Sequence, residues 1–178
     1  MLKFPSFVAK EIIMTYHTSY GFIHHDLGHS KKERKEAKIH RAMSCMEKHS
    51  GKLTRVEEII FFAKTIGAKR IGLAYCKEMH KETQLFSDIL EMQGFTTLPI
   101  SCQKKIDPIA SCDATSQAKF LNKLHTDLNI TLGLCLGKDA LFTYHASAIT
   151  LCFIAKDTIL GHHPLLGLYM TSDFEPRT

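Results

Sequence analysis

From residue 70 onward, short apolar runs typical of strands alternate with amphipathic runs typical of helices. We predict strands over residues 71–76, 95–102, 130–136 and 148–155, each separated from the next by a helix. Strands that alternate with helices favour a parallel sheet with right-handed crossovers. The sequence therefore predicts an α/β protein, a Rossmann-like or flavodoxin-like three-layer sandwich with a mostly parallel sheet of four to five strands.

Pro99 limits where the second predicted strand can lie in that sheet. Proline has no backbone N–H to donate to a neighbouring strand, so it is confined to edge strands. The strand order 2-1-3-4 places Pro99 at an edge. This order also places the ligand-binding crevice, which lies beyond the carboxyl ends of the strands, between strands one and three.

Extra helices are predicted before the first strand. Ser30 and Glu33, and again Thr54 and Glu57, have the spacing of a capping box, in which a hydroxyl and a carboxylate satisfy backbone amides at the start of a helix. On the first of these helices we expect four apolar residues to face the core, namely Ile39, Ala42, Met43 and Met46. On the helix after the first strand we expect the same of Leu85, Phe86, Ile89 and Leu90.

The length of 178 residues suits one domain with its own core. We predict a single domain over residues 1–178, with an N-terminal helical extension over 1–53 and an α/β core over 54–172. The apolar runs are too short to cross a membrane. Charged residues interrupt the apolar N-terminal stretch, whereas the apolar region of a signal peptide is continuous. We therefore expect a cytoplasmic protein without a membrane partner.

The net charge of +5 is concentrated in the N-terminal helical region. Glu33 and Glu36 interrupt the basic residues there, and no aromatic residue lies among them. This pattern is typical of a solvated helix face and argues against nucleic-acid binding. A non-catalytic interaction module that uses these helices remains a third functional hypothesis.

Cysteines mark the carboxyl ends of three predicted strands. Cys76, Cys102 and Cys135 each end a strand, and Cys112 opens the helix that follows the second strand. Parallel strands bring these ends to one edge of the sheet, where such folds bind ligands. In a cytoplasmic protein, cysteines serve as thiols, ligands or catalysts more often than as disulfides. We predict that these four share a function, whereas Cys45 and Cys152 belong to ordinary packing.

Several common sites are excluded by spacing. The chain has no C-x-x-C pair of the thioredoxin type. The segment GLCLGKD, residues 133–139, is one residue short of a phosphate-binding loop and has Asp139 in place of the required hydroxyl. What remains is a metal or iron–sulfur site, or a thiol enzyme acting on a small-molecule ligand. In the enzyme hypothesis, Cys135 or Cys112 is the nucleophile, and Lys138 or His162 stabilises charge.

The expected separation of the thiols bears on the ligand. Cys102 and Cys135 would lie on either side of strand one, about 10 Å apart, because neighbouring strands are spaced by about 4.8 Å. Thiolates around one Zn²⁺ must lie within about 4 Å of one another, so the loops would have to fold inward. An iron–sulfur cluster is larger and bridges such a gap more easily. His162, beyond the last strand, is a further candidate ligand.

Three segments resemble the uncharacterised prokaryotic family catalogued as domain of unknown function 1847. They are TRVEEIIFFAKTIGAKRIG (54–72), TDLNITLGLCLGKDALF (126–142) and LGHHPLLGLY (160–169), in the order that the family has them. Members of that family are commonly labelled predicted metal-binding proteins. The resemblance implies a metal centre whose ligands here would be Cys76, Cys102, Cys112, Cys135 and His162.

The chain also departs from that family's pattern. It has no cysteine before Cys45, where the family has a cysteine-rich segment, so the corresponding N-terminal metal site is expected to be absent. Lys138 stands where a histidine is usual, and His163 replaces an asparagine. Our leading hypothesis is therefore a protein that binds a transition metal, an iron–sulfur cluster or zinc at the strand edge alone.

Overall fold

The computed structural model describes residues 30–102 and 113–170 and contains one all-parallel sheet. Contacts divide the chain after Arg34, and the whole sheet lies in the unit that begins at Lys35. The order of the strands is β2-β1-β3-β4. They are β1 Arg70–Tyr75, β2 Thr96–Ser101, β3 Leu128–Leu134 and β4 Ile149–Ala155. The predicted α/β class and the predicted strand order are confirmed.

Helices pack on both faces of this sheet. On one face, Ile59, Phe86 and Leu90 share a buried apolar cluster with strand residues such as Ile71 and Ile130. On the other face, Ala118, Leu121 and Phe142 pack with Ala74 and Leu134. The first face carries α1 Lys31–Glu47, α2 Arg55–Thr65 and α3 His80–Met92, and the second carries α4 Ala114–Lys123 and α5 Leu136–His145. A short helix, α6 Pro164–Tyr169, follows β4.

The edge position of β2 follows from its proline. Pro99 lies opposite Leu73 of β1, and β2 has no second neighbour in the described sheet. The prediction from Pro99 is thus confirmed. The central strands β1 and β3 are almost wholly buried, whereas β2 and β4 are partly exposed.

Helix α1 precedes the first strand in the sequence, and it also contributes side chains to the hydrophobic core. Ala42 is fully buried, and Ile39 and Met46 pack against the main apolar cluster. Met43 on this helix and Leu85 on α3 were predicted to face the core, but they are 49% and 64% exposed. Each is next to a core residue in the sequence. Because a helical turn has 3.6 residues, consecutive side chains point in different directions, so these two side chains lie at the side of the helix and not against the core.

Strand β3 begins two residues before its predicted start and ends at Leu134, before Cys135. The predicted strand began at Ile130 and so left out Asn129. In the structure Asn129 is fully buried, and its Oδ1 accepts a hydrogen bond of 2.7 Å from the Thr126 hydroxyl. The Asp127 carboxylate accepts hydrogen bonds from the backbone of Lys69 and Arg70, each 2.9 Å long, which holds β3 beside β1.

Candidate functional site

Cys76 and Cys102 lie side by side at the carboxyl ends of β1 and β2. The last paired residues of these strands are Tyr75 and Ser101, and each cysteine follows directly. The Cys102 N–H donates to the Tyr75 carbonyl at 2.8 Å, which extends the ladder by one step. Both cysteines are 7% exposed and share a small apolar cluster with Met79. The structure therefore brings two of the four predicted thiols together.

Each of these sulfurs faces a hydrogen-bond donor. The backbone N–H of Lys77 lies 3.4 Å from the Sγ of Cys102, and the Nζ of Lys156 lies 3.5 Å from the Sγ of Cys76. Positive charge and N–H donors favour a thiolate over a thiol. The thiolate is the form that binds metals or attacks an electrophile. The surroundings of both sulfurs therefore suit either chemistry.

Lys156 is held in place by Glu78. Their side chains form an ion pair of 2.8 Å, in which the lysine side chain is 17% exposed and the carboxylate is 51% exposed. Glu78 raises the pKa of the Lys156 ammonium, burial opposes this, and the Cys76 sulfur raises it further. Conversely, Lys156 lowers the pKa of the Glu78 carboxyl, and His162 adds to that effect. At neutral pH, Lys156 is therefore a fixed cation beside Cys76.

Neither Lys156 nor Glu78 was singled out from the sequence. Both follow strand ends, since Lys156 comes directly after β4 and Glu78 comes three residues after β1. The rule that selected the cysteines, namely their position at the carboxyl edge, applies to charged residues too. Applied to every polar residue at a strand end, it would have found this pair.

Cys135 lies apart from the cluster of Cys76, Cys102 and Met79. It is exposed and occupies the N-cap position of α5, where its side chain makes no capping hydrogen bond. Lys138, in the first turn of this helix, donates its backbone N–H to the Cys135 carbonyl at 2.8 Å. Cys112 lies outside the described residues, so its predicted place beside the other thiols stays a prediction.

His162 lies close enough to Glu78 to affect that carboxyl group, but its ring already has a partner. The ring Nδ1 of His162 accepts the backbone N–H of Asp157 at 3.2 Å, and the backbone N–H of His162 donates to the Asp157 carbonyl at 2.7 Å. Its φ of 65° is in the left-handed region. Within residues 30–102 and 113–170, no three His, Cys, Asp or Glu side chains are grouped to hold a metal ion. The paired thiols suit a soft metal, and the described residues supply only part of a ligand set.

The first turns of α4 are anchored at the same edge of the sheet. The Gln117 amide donates to the carbonyls of Ile100 at 2.9 Å and Tyr75 at 3.4 Å, so it links the ends of β2 and β1. Asp113 caps the helix by accepting the Ser116 N–H at 2.9 Å. Because the Gln117 nitrogen must face the two carbonyls, its Oε1 is left buried without a hydrogen-bond partner. This glutamine was missed because a single glutamine in a helix gives no sequence signal.

Cys152 differs from the ordinary packing that we predicted, because the residue is exposed on the edge strand β4. Its thiol nevertheless lies against Thr131, its register partner on β3, and against Asp139 of α5. Burial of the sulfur raises the pKa of the Cys152 thiol, and the negative charge of Asp139 raises it further. Cys152 is therefore protonated at neutral pH.

Replacement of Asp139 with asparagine should make Cys152 react faster with iodoacetamide. A raised pKa leaves less thiolate at a given pH, and removal of the neighbouring negative charge lowers the pKa again. We expect labelling at pH 8 to become about threefold faster, because the reaction rate follows the thiolate fraction. Mass spectrometry of the labelled peptide measures the rate. Asp88→Asn, an exposed change on α3, is the control, and an equal acceleration by both variants would contradict the assignment.

Among the described parts of the chain, no helix is both long and apolar enough to cross a membrane.

Comparisons with known proteins give the family. The model of the family described as "Protein of unknown function (DUF1847)" matches residues 17–153. The uncharacterized protein MJ0455 of Methanocaldococcus jannaschii is 37% identical over an alignment of 132 residues, and the match covers 66% of this chain and 68% of that protein. Among solved structures, ornithine transcarbamoylase from Giardia lamblia has a TM-score of 0.34 at 14% identity; the match covers 67% of this chain and 33% of that one. Since the family match extends over most of the chain, this protein belongs to the DUF1847 family.

Proposed function

We propose that this protein binds a transition-metal ion or an iron–sulfur cluster through cysteine thiolates at the carboxyl edge of its sheet. The observation that carries the proposal is the pairing of Cys76 and Cys102, two thiols from neighbouring strands in one buried cluster. Thiolates are soft ligands that favour zinc, copper(I) and iron–sulfur clusters. A hydrogen-bond donor lies beside each of the two sulfurs.

A complete site needs more ligands than these two. Structural zinc sites and most iron–sulfur clusters use four protein ligands. Cys112, Cys135 and His162 are the candidates, as the strand-end positions and the family resemblance predict. For Cys135 and His162 this requires movement from the positions described above, because they are not grouped with the paired thiols.

Lys156 would have a supporting part in such a site. Thiolates bring negative charge into a buried region, and an uncompensated buried charge is costly. The ammonium near Cys76 offsets part of this charge, and Glu78 holds the ammonium in position. Groups that surround metal ligands in this way orient them and tune the metal.

Elemental analysis and a visible absorption spectrum of anaerobically purified protein test the proposal. We expect bound metal in the wild type and loss of nearly all of it in Cys76→Ser and in Cys102→Ser. Cys45→Ser is the matched control, since Cys45 lies half-buried on α1 and should leave the metal content unchanged. A colourless wild-type protein that stays metal-free after reconstitution with iron and sulfide, or with zinc, would contradict the proposal.

A second candidate function is supported by the contact between Lys156 and Cys76. In a thiol enzyme that acts on a small molecule, this cation would keep Cys76 in its nucleophilic form. The sequence favoured Cys135 or Cys112 as the nucleophile, with Lys138 or His162 stabilising charge. The 3.5 Å contact of Lys156 instead points to Cys76.

Replacement of Lys156 with methionine should slow the alkylation of Cys76. An interaction of about 1 kcal/mol between the ammonium and the sulfur corresponds to a change of about fivefold in rate. Labelling with iodoacetamide at pH 7, followed by mass spectrometry of the Cys76 peptide, gives that rate. Lys138→Met is the matched control and should leave Cys76 unaffected. Equal rates in wild type and Lys156→Met would remove the basis for this second function.

A further inference from the structure

Cys76 and Cys102 are placed as a pair that can be joined. They follow Tyr75 and Ser101, which lie opposite each other in the register of β1 and β2. Neighbouring strands are about 4.8 Å apart, and disulfides join residues whose Cα atoms are about 4.4–6.8 Å apart. The hydrogen bond from the Cys102 N–H to the Tyr75 carbonyl, 2.8 Å long, keeps the two chains together at this step.

The side chains are placed accordingly. The Sγ of Cys102 lies 3.4 Å from the backbone nitrogen of Lys77, the residue covalently attached to Cys76. Both side chains belong to the same apolar cluster around Met79, and both are present as thiols. The Cys102 sulfur therefore lies beside the main chain that carries Cys76, in the same cluster as the Cys76 side chain.

We propose that Cys76 and Cys102 form a redox-active dithiol that a small peroxide converts into a disulfide. Both residues are 7% exposed, so the oxidant must be small, and hydrogen peroxide fits this requirement. The two residues take different parts. Cys76, next to the Lys156 ammonium, reacts first, and Cys102 then resolves the product.

The steps balance as follows in atoms and electrons. The Cys76 thiolate attacks one peroxide oxygen, so that an S–O bond forms, the O–O bond breaks, and hydroxide leaves and takes up a proton to become water. The Cys102 thiolate then attacks the Cys76 sulfur, so that an S–S bond forms and the S–O bond breaks, and the hydroxide that leaves takes up a proton to become a second water. Two thiols have together lost two protons and two electrons, and the peroxide has been reduced to two waters.

The disulfide would also control the site proposed above. Its formation removes both thiolates, so oxidation and metal binding by these residues exclude each other. This regulatory consequence depends on the proposed function, whereas the dithiol chemistry does not need a metal.

Peptide mapping tests the dithiol directly. The full-length protein is reduced, treated with hydrogen peroxide, alkylated and digested with trypsin without reduction. Trypsin separates Cys76 in peptide 71–77 from Cys102 in peptide 82–104 and from Cys112 in peptide 106–119. We expect peptides 71–77 and 82–104 to be joined, with the loss of two hydrogen atoms. Peroxide-treated wild type in which Cys76 is joined mainly to another cysteine, or in which both residues are still alkylated, would overturn the proposal.

Variants separate the parts of the two residues. Cys102→Ser should leave a sulfenic acid on Cys76 that dimedone traps, and Lys156→Met should slow the formation of the disulfide about fivefold. Cys152→Ser is the matched control and should form the disulfide at the wild-type rate. If Cys102→Ser folds, as circular dichroism can show, and gives no dimedone adduct at Cys76, the assigned order is wrong.

The outcomes distinguish this inference from the proposed function. A protein that binds no metal but forms the disulfide between Cys76 and Cys102 supports the dithiol and contradicts the metal centre. A protein that binds metal through these residues but does not form the disulfide after chelation and peroxide treatment contradicts the dithiol alone.

Discussion

Replacement of Gly133 with alanine is expected to lower the free energy of unfolding by about 3 kcal/mol. Gly133 has a φ of 65°, in the left-handed region that favours glycine. A Cβ atom there would lie 2.4 Å from the Cγ of Met79, the residue that packs with the paired thiols. The energetic cost of the strained backbone and the cost of the overlap with Met79 therefore add together in this variant. Urea denaturation followed by circular dichroism measures the change.

Gly67→Ala is the matched control. Gly67 has a similar φ of 73°, but among the described residues no atom beyond its chain neighbours lies within 4 Å of the position that its Cβ would take. We expect this variant to lose about 1 kcal/mol, from backbone strain alone. The difference between the two variants then measures the overlap with Met79. Equal losses would show that Met79 does not pack against Gly133 as described.

Replacement of Gly72 with alanine is the second large expected effect, with a loss of about 3 kcal/mol. Gly72 lies in the central strand β1, where a Cβ would lie 2.4 Å from the Asn129 Oδ1 and 2.7 Å from the Cδ1 of Leu121. Both neighbours are fully buried, so neither can move into solvent. Displacement of Asn129 would also break its hydrogen bond with the Thr126 hydroxyl.

Gly137→Ala separates this overlap from the general effect of adding a methyl group. Gly137 lies in α5, and apart from its chain neighbours and the backbone of the helix itself, no atom in the described part of the chain lies within 4 Å of its added Cβ. Alanine in a helix is more stable than glycine by about 0.5–1 kcal/mol, so this variant should be neutral or slightly more stable. The denaturation curve of Gly72→Ala should therefore shift to lower urea concentration, whereas that of Gly137→Ala should stay in place or shift slightly to higher urea concentration. A Gly72→Ala protein as stable as the wild type would show that helix α4 does not pack closely on β1.

The sequence predicted the architecture well because backbone requirements act locally. The missing N–H of Pro99 placed β2 at the edge, and the order 2-1-3-4 that satisfies this condition placed β1 and β3 in the centre. The position of Cys76 and Cys102 at strand ends followed from the same pattern. Once the strand order 2-1-3-4 is known, the neighbourhood of these two thiols follows, because β1 and β2 are adjacent.

Other parts of the site depend on distances that a linear pattern does not contain. Lys156 reaches Cys76 past the end of β3, which depends on side-chain length and on how the strand ends are staggered. The burial of Asn129 depends on its partner Thr126, and the exposure of Cys152 depends on β4 being at an edge. Such features can be predicted only when the strand register and the positions of the helices are known, so residue type alone did not reveal them.

The bond between Lys156 and Cys76 joins residues 80 positions apart in the chain. A ribosome has therefore made nearly the whole described fold before the cation can meet the sulfur. Until β4 docks, Cys76 has the chemistry of a thiol in an unfinished polypeptide. Any activity that depends on this contact begins only when β4 is in place. Incomplete chains therefore lack that activity.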